Sequence, residues 1–327
     1  MRLLGQPDRA VYKEFRNLIS SGGPGAALGN CMPPSLAPQT DFSRAFQESG
    51  LTGDLILEFR KVIYQNYELQ GRRLPWRQTR DPYKILVSEI MLQQTQVERV
   101  LFKYASFLDR FPGFPELARA PLRDILLAWQ GLGYNRRAQS LQNLARRLVA
   151  EFDGRLPADR GILESLPGIG TATAGALMAF AFEQPVVFLE TNIRRVYLHF
   201  FYPEIEAVSD KKLLLLILLT LDVHQIRPWY YALMDYGAWL KKTVPNPNRR
   251  SAHYVRQSPF RGSDREIRSW IIKLFLNNPE MAESTVLHRL PSEPARIKRI
   301  LQQLTQENFL RYQSGHYRLA TGLESCP

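Results

Sequence analysis

Cysteine is scarce in this chain of 327 residues, which holds only Cys31 and Cys326, near opposite ends. Two cysteines cannot form a four-cysteine cluster site, and they indicate no disulfide framework. Such usage is typical of a reducing cytosol. Long apolar runs are also missing: the longest, residues 213–219, is too short to span a bilayer, and the N-terminus lacks the apolar core of a signal peptide. The sequence therefore predicts a cytoplasmic protein without a membrane partner.

Acidic residues are the minority charge, with 31 Asp and Glu against 43 Lys and Arg, a net charge of +12 and a pI of about 9.8. Residues 241–320 hold 15 basic and 6 acidic residues, and so +9 of this charge. A basic surface favours a polyanionic partner. Many basic proteins bind no nucleic acid, so charge alone does not decide the function.

Proline and glycine divide the chain into segments. Residues 1–50 are rich in Gly, Pro and Ser and are predicted to be a disordered leader. Residues 51–242 carry helical patterns throughout, and residues 243–259 are predicted to be a linker. Residues 260–320 combine three helical patterns with a hairpin signal at Ser314-Gly315, which predicts a small winged-helix-like α+β domain, followed by a tail over residues 321–327. The predicted fold class is mainly α.

The winged-helix-like domain has two possible roles that the sequence favours equally. It could dock a protein or stabilise the rest of the chain. It could also add DNA contacts through its hairpin and through Arg296, Lys298 and Arg299.

The sequence Leu166-Pro167-Gly168-Ile169-Gly170 predicts a tight turn between two helices, the second over residues 171–182. Its glycines allow positive φ and close approach of a partner. The amides of Ile169, Gly170 and Thr171 would point out of a helix N-terminus, where a DNA phosphate can bind without sequence preference. An ordinary helix–turn–helix corner is the alternative, which Gly-x-Gly alone would favour.

A second glycine turn, residues 131–133, precedes Tyr134, Asn135 and a basic helix that begins near Arg136. One interpretation is a helix hairpin with a solvated basic face. The other places Tyr134 and Asn135 beside a nucleotide and the arginines near phosphates.

Two glutamates occupy unusual positions. Glu89 shares a helix face with Gln93, four residues later, although a lone glutamate is normally a solvated one. Glu190 ends a short run of apolar residues just before the sequence Thr191-Asn192.

Taken in order, these motifs resemble the adenine DNA glycosylases of the endonuclease III superfamily. The matching segments cover about half of the chain: residues 74–77 (LPWR), 88–97 (SEIMLQQTQV), 131–134 (GLGY), 166–174 (LPGIGTATA), 192–196 (NIRRV) and 234–238 (MDYGA).

The resemblance implies that residues 51–242 form a two-lobed, all-α helix-hairpin-helix glycosylase domain. Such enzymes flip a base out of the duplex and break its N-glycosidic bond. By motif position Glu89 matches the general acid, and Glu190 stands where the family has its catalytic Asp. The partner is expected to be double-stranded DNA with a lesion or mismatch, bound by a monomer, at the nucleoid in a prokaryote. The residues expected to bind DNA are Gln93, Gln94, Tyr134, Asn135, Arg136, Gly168, Ile169, Gly170, Thr171, Asn192 and Arg194.

The resemblance also implies a K⁺ or Na⁺ ion on the backbone carbonyls of Leu166 and Gly168, with no other cofactor. Several positions depart from the family pattern. The Asp is Glu190, a second aromatic is Asn135, and the lysine of the lyase-active members is Ala172. The cluster cysteines are absent, and the C-terminal segment is too short for the usual domain that reads oxidised guanine.

Adenine is the expected target because N7 of a purine can accept a proton from Glu89, and Ala172 predicts a glycosylase without lyase activity. Two alternatives stay open: a glycosylase for mismatched uracil or thymine, and a non-catalytic protein that binds DNA lesions or structures.

We predict that the purified protein is colourless and free of iron, because two distant cysteines cannot ligate a cluster. Elemental analysis and the visible absorbance spectrum test this directly. Stoichiometric iron with a broad cluster-like absorbance would contradict it.

Overall fold

The computed structural model describes residues 41–256 and 258–320. Within these residues the chain is mainly helical, with one small sheet near the C-terminal end, which confirms the predicted fold class. The helices are α1 Phe42–Ser49, α2 Gly53–Gln70, α3 Pro82–Leu92, α4 Val97–Arg110, α5 Phe114–Arg119, α6 Leu122–Trp129, α7 Arg136–Glu151, α8 Arg160–Ser165, α9 Thr171–Phe180, α10 Thr191–Phe201, α11 Asp210–Thr220, α12 Ile226–Thr243, α13 Asp264–Asn277, α14 Glu283–Arg289 and α15 Pro294–Gln306. Short 3₁₀ turns cover Pro75–Arg77 and Pro247–Arg250.

The chain divides into two compact units. Among the described residues, the first unit holds residues 41–71, 191–222 and 231–252, and the second holds residues 72–190, 223–230 and 253–320. The helical domain predicted over residues 51–242 is therefore distributed over both units, and the C-terminal α+β part clusters with the second. No helix among the described residues has both the length and the apolar character that crossing a bilayer requires.

An aromatic cluster forms the core of the first unit. Phe200 packs edge-on against Phe42 of α1 and Phe59 of α2, with ring centroids 5.0 and 5.2 Å apart. Asp41 caps α1 by accepting a hydrogen bond from the Arg44 amide. The prediction of a disordered leader is therefore wrong for residues 41–50, because Phe42 gives that stretch a buried anchor. Residues 1–40, the remainder of the predicted leader, lie outside the described part of the chain.

The predicted linker is also shorter than residues 243–259. The Asn248 side chain is buried and donates to the backbone carbonyl of Thr191, and Val208 pairs with Ser251 in a parallel bridge. Residues 246–252 thus pack within the first unit. The reason is a set of contacts with distant residues, which the local richness in Pro and Asn did not reveal.

Two helices of the second unit position the candidate site. Helix α3 begins at Pro82, where Asp81 accepts a hydrogen bond from the Tyr83 amide, and it is buried along most of its length. It packs against α9, a helix of mostly small residues. Gly175 of α9 leaves room for the Phe188 ring, since a Cβ at residue 175 would lie 2.3 Å from the Phe188 Cβ.

The C-terminal module, residues 264–319, runs helix–strand–helix–helix–strand–strand. Strands β1 (Glu280–Ala282), β2 (Leu310–Gln313) and β3 (His316–Leu319) form an antiparallel sheet in the order β1-β3-β2. The hairpin turn lies at Ser314-Gly315, as the sequence predicts, with φ of 49° and 81°. Strand β1 is an addition that the sequence did not indicate, and the resulting order is that of a winged helix.

We predict that Gly237→Ala destabilises the first unit. A Cβ at residue 237 would lie 2.3 Å from the Asn192 carbonyl oxygen, a backbone atom that cannot rotate away. Overpacking of this kind costs about 1–3 kcal/mol or more. Chemical denaturation followed by circular dichroism measures the change.

The control is Gly53→Ala at the start of α2, where an added Cβ meets no atom within 4 Å. Equal stability of the two variants would show that α10 and α12 do not pack this closely.

Candidate functional site

Glu89 lies on α3 and is half-buried within the second unit. Its pKa is raised from 4.5 to about 7, first because burial disfavours the charged carboxylate and second because the Glu190 charge lies nearby. The positive charge of Arg77 opposes this shift. The two predicted catalytic carboxylates are thus brought together, and the pKa of Glu89 lies near neutral pH.

A segment without regular secondary structure leads to Glu190. Phe188 is buried against Gly175 of α9, and its ring centroid is 4.3 Å from that of Tyr230. The Tyr230 hydroxyl donates to the Val186 carbonyl at 2.5 Å. Aromatic packing and a backbone hydrogen bond therefore hold the chain just before Glu190, which is itself half-buried.

Gln93 connects the end of α3 to the glycine turn. Its side-chain nitrogen lies 3.2 Å from the Gly168 carbonyl oxygen and 3.1 Å from the Thr173 hydroxyl. The structure thus gives this predicted DNA contact a role in aligning the turn. Its neighbour Gln94 is exposed and has a left-handed backbone, with φ of 55°, so its side chain faces solvent at the point where α3 has ended.

The glycine turn, Leu166–Gly170, lies between α8 and α9, as predicted. Gly168 has φ of 83°, and an added Cβ there would lie 2.9 Å from the Ser140 Cβ, so both backbone and packing require glycine. Gly170 is exposed, and a Cβ there would meet nothing within 4 Å. Packing within the protein therefore does not require glycine at residue 170. Close approach of a partner to the backbone would explain why glycine occurs there.

One predicted phosphate donor has a partner within the turn. The Ile169 amide donates to the Leu166 carbonyl at 3.2 Å and its side chain is buried, so this amide is engaged within the turn. The exposed Gly170 and Thr171 at the N-terminus of α9 remain as candidate donors. The carbonyls of Leu166 and Gly168 each accept one hydrogen bond here. Each oxygen keeps a second lone pair, so the pair fits a monovalent cation.

Arg137 organises the site, although it is not among the residues predicted from the sequence. One guanidinium nitrogen donates to the carbonyls of Ile90, Met91 and Gln93, at 2.9, 2.9 and 2.5 Å. The other donates to the carbonyls of Leu132 and Gly133. The cation thus satisfies the last carbonyls of α3, where the helix dipole is negative. Burial lowers its pKa to about 10, although Tyr134 acts in the opposite direction.

The sequence contains a pattern that indicates the internal role of Arg137. Residue 137 falls on the same helical stripe as Leu141, Leu144 and Leu148, which are buried in α7. Arg136 falls off this stripe. A cation in line with core leucines indicates an internal partner, whereas its neighbour points outward.

Three residues near this turn were expected to contact DNA. Tyr134 has φ of 49°, and its hydroxyl accepts a hydrogen bond from Arg265 of the C-terminal module at 2.8 Å. Arg136 is ion-paired with Glu307 of the same module, but its side chain remains 66% exposed, so its phosphate contact stays a prediction. Asn135 precedes α7, is half-buried and forms no side-chain cap there.

Asn192 and Arg194 belong to the first unit, and both have internal partners. The Asn192 side-chain oxygen accepts a hydrogen bond from Arg195 at 2.8 Å, and Arg194 forms an ion pair with Asp210 at 2.6 Å. These contacts fix helix α10, and the expected DNA contacts of the two residues stay predictions. Arg195, which was not predicted as a site residue, is buried and also donates to the Gly237 carbonyl.

Comparison with known proteins adds to this geometry. Residues 87–213 match the HhH-GPD superfamily base excision DNA repair protein family. The chain is 31% identical over 274 residues to the adenine DNA glycosylase of Mycolicibacterium smegmatis, covering 78% of this chain and 93% of that protein. It is 39% identical over 189 residues to that of Buchnera aphidicola subsp. Baizongia pistaciae, covering 56% of this chain but only 52% of the relative. The chain thus spans about half the length of the Buchnera protein.

A solved structure supports the fold. A trapped covalent complex of endonuclease III with DNA aligns at a TM-score of 0.51 and 20% identity, covering 64% of this chain and 91% of that one. At this identity the likeness shows the fold alone.

We predict that Glu89→Gln stabilises the protein at pH 8 but not at pH 4. Between pH 4.5 and about 7 the folded state keeps a proton that the unfolded state has released, so the free energy of unfolding falls as pH rises through this window. A glutamine at residue 89 does not titrate, so the variant does not lose free energy of unfolding through this window. The gain is on the order of 1–2 kcal/mol, because partial exposure screens the effect.

Thermal unfolding of both proteins at several pH values measures this. The control is Glu98→Gln at the exposed start of α4, which should leave the pH dependence of Tm unchanged. A Glu89→Gln protein with the wild-type pH dependence would contradict the raised pKa.

Proposed function

Since this chain belongs to the adenine DNA glycosylase family of the HhH-GPD superfamily, we propose that it is a monofunctional DNA glycosylase of base excision repair. It binds double-stranded DNA as a monomer and flips out a damaged or mispaired base, with adenine as the target. It then hydrolyses the N-glycosidic bond of that base. The observation that carries this proposal is the Glu89–Glu190 pair, in which one carboxyl holds a proton near neutral pH. Its site of action is the cytoplasm, at the nucleoid in a prokaryote.

The two carboxyl groups divide the reaction between them. Glu89 donates its proton to the departing base, at N7 of adenine, as the bond from the base nitrogen to the sugar carbon breaks. The sugar acquires oxocarbenium character, which the negative charge of Glu190 stabilises. A water molecule adds its oxygen to the sugar carbon and returns a proton to the site. A pKa of about 7 suits a group that must be protonated at the start and can regain its proton afterwards.

DNA is held next to this pair by the glycine turn. The N-terminus of α9, at Gly170 and Thr171, offers amides and the positive end of a helix dipole to a phosphate. A K⁺ or Na⁺ ion on the carbonyls of Leu166 and Gly168 would add positive charge at the same turn.

We expect Glu89→Gln to slow excision by about 10²–10⁴-fold, because the amide keeps the shape of the side chain but cannot act as an acid. Glu190→Gln should slow it by about 10²–10³-fold by removing the stabilising charge. In both variants lesion binding should stay near wild type. The wild-type rate should fall as pH rises above about 7, since Glu89 then loses its proton.

Glu190→Asp is the sharper variant. Phe188 and Val186 hold the backbone before residue 190, so the shorter side chain withdraws its carboxylate by about 1.5 Å. We expect excision to slow by about 10–100-fold. A faster Glu190→Asp enzyme would mean that glutamate is a poor replacement for the family's aspartate.

Single-turnover excision over a panel of duplexes separates the alternatives. Adenine, uracil and thymine are each placed in a mispair, and the released base is quantified. Excision of uracil or thymine instead of adenine would show that the target base is a pyrimidine. Tight lesion binding without release of any base, at every pH tested, would identify a non-catalytic binder. Full wild-type excision by both glutamine variants would overturn the site assignment.

We predict that excision leaves an intact abasic strand until alkali or heat is applied. Ala172, exposed at the start of α9, has no amine to form a Schiff base with the sugar. Borohydride trapping followed by denaturing electrophoresis measures covalent adducts, with Ala172→Lys as the positive control. Substantial trapping of the wild-type protein would show that another amine acts as the nucleophile.

A further inference from the structure

An exposed segment of the second unit has no part in the proposed chemistry. Residues 253–256 and 258–262 are here called the arm, and three of its large apolar side chains are exposed: Tyr254 by 41%, Val255 by 86% and Phe260 by 54%. Arg256 and Arg261 are exposed between and beside them. The sequence has no Asp or Glu from residue 241 to residue 263. Exposed apolar and cationic groups in a stretch of sequence without acidic residues fit a polyanion that also offers apolar surface.

The arm differs in this respect from the helices of the C-terminal module. Arg296 and Arg299 both pair with Asp264, and Lys298 pairs with Glu283. These are the cations from which the sequence suggested DNA contacts, and each already has a carboxylate partner, although Arg296 and Arg299 share one. Among the described residues, by contrast, no salt bridge includes an arginine of the arm.

The backbone next to Phe260 is fixed although the side chain is exposed. The Phe260 carbonyl accepts hydrogen bonds from the Ser263 amide and hydroxyl, at 3.1 and 2.6 Å. Gly262 donates to Glu266 at 2.6 Å and accepts from Arg296 at 2.9 Å. An exposed aromatic on an anchored turn is arranged for contact before a partner arrives, so little ordering entropy opposes binding.

Direct contacts connect the arm to the glycine turn. Arg265 donates to the Ser258 carbonyl at 2.6 Å and to the Tyr134 hydroxyl at 2.8 Å. The Arg137 guanidinium lies 5.4 Å from the centre of the Tyr134 ring and donates to the Gln93 carbonyl. Gln93 in turn contacts Gly168. The arm is therefore continuous with the turn to which the proposed function assigns a DNA phosphate.

We propose that the arm is a second DNA-contacting element of this protein. Arg256 and Arg261 bind backbone phosphates of the duplex, and Phe260 packs against a sugar or base beside them. Arg265 is a positioning residue that ties the arm to Tyr134. This inference rests on the proposed function for its partner, duplex DNA, and adds a surface that the catalytic pair does not require.

Binding measured against salt tests the two kinds of contact separately. Fluorescence anisotropy with a lesion-containing duplex gives the dissociation constant over a range of KCl concentrations. Each lost phosphate contact reduces the magnitude of the slope of log K against log salt by about 0.9. The slope of the Arg256→Ala/Arg261→Ala protein should therefore be about 1.8 smaller in magnitude than that of the wild type. Phe260→Ala should weaken binding by roughly tenfold at every salt concentration and leave the slope unchanged.

Matched controls come from equally exposed residues elsewhere. Phe102 on α4 is 90% exposed, and Arg289 ends α14 in an exposed position. Phe102→Ala and Arg289→Ala should bind the duplex as the wild type does. Thermal unfolding of each variant checks that the fold is intact, which these exposed positions lead us to expect.

The outcomes distinguish this inference from the proposed function. Wild-type excision of adenine with unchanged affinity and salt slope in all arm variants would overturn the arm as a DNA contact and leave the glycosylase standing. If the arm variants lose affinity but the wild-type protein excises no base, the arm is supported as a DNA contact and the proposed glycosylase activity is overturned. Equal losses of affinity in the arm variants and their controls would also overturn the arm as a DNA contact, since replacing any exposed residue would then have the same effect.

Discussion

The Arg137 guanidinium is the interaction on which the geometry of the second unit most depends. It donates to three terminal carbonyls of α3 and to two carbonyls of the Gly131–Gly133 turn. Carbonyls at the end of a helix lack intrahelical donors, and leaving such groups unpaired where they are buried is costly. Because α3 also carries Glu89, the position of the candidate acid is coupled to a residue on another helix, 48 positions later.

The carboxyl pair shows how position creates function from ordinary groups. A solvated glutamate would be ionised at neutral pH and useless as an acid. Burial in α3 and the nearby charge of Glu190 together favour the neutral form of Glu89. Gly175 admits Phe188 closely, and this contact helps to hold the segment that ends at Glu190. A small residue on one helix thus affects the proton affinity of a side chain on another.

The C-terminal module uses much of its charge internally. Glu307 accepts hydrogen bonds from Arg136 of α7 and Arg268 of α13, and Gln139 donates to the Glu307 carbonyl at 2.8 Å. Arg123 of α6 donates to the Leu276 carbonyl. These contacts favour the docking role over the DNA-contacting role for the helices of the module. In the basic arm that precedes them, Arg256 and Arg261 are exposed and have no salt bridge among the described residues, so net charge by segment was a poor guide to which cations lack a carboxylate partner.

Local signals in the sequence determined several turns and the fold class of this protein. The helix–turn–helix at residues 166–170, the hairpin at Ser314-Gly315 and the mainly α fold follow from glycine, proline and periodicity, and the family resemblance to adenine DNA glycosylases is confirmed by the comparisons. Such features depend on a few neighbouring residues, so a single sequence can reveal them. Tertiary structure alone decided that Phe42 is buried, that Arg136 pairs with Glu307 at a separation of 171 residues, and that Arg194 pairs with Asp210. It also decided the raised pKa of Glu89, since pKa and charge pairing depend on neighbours in space, and distant segments of the chain supply those neighbours.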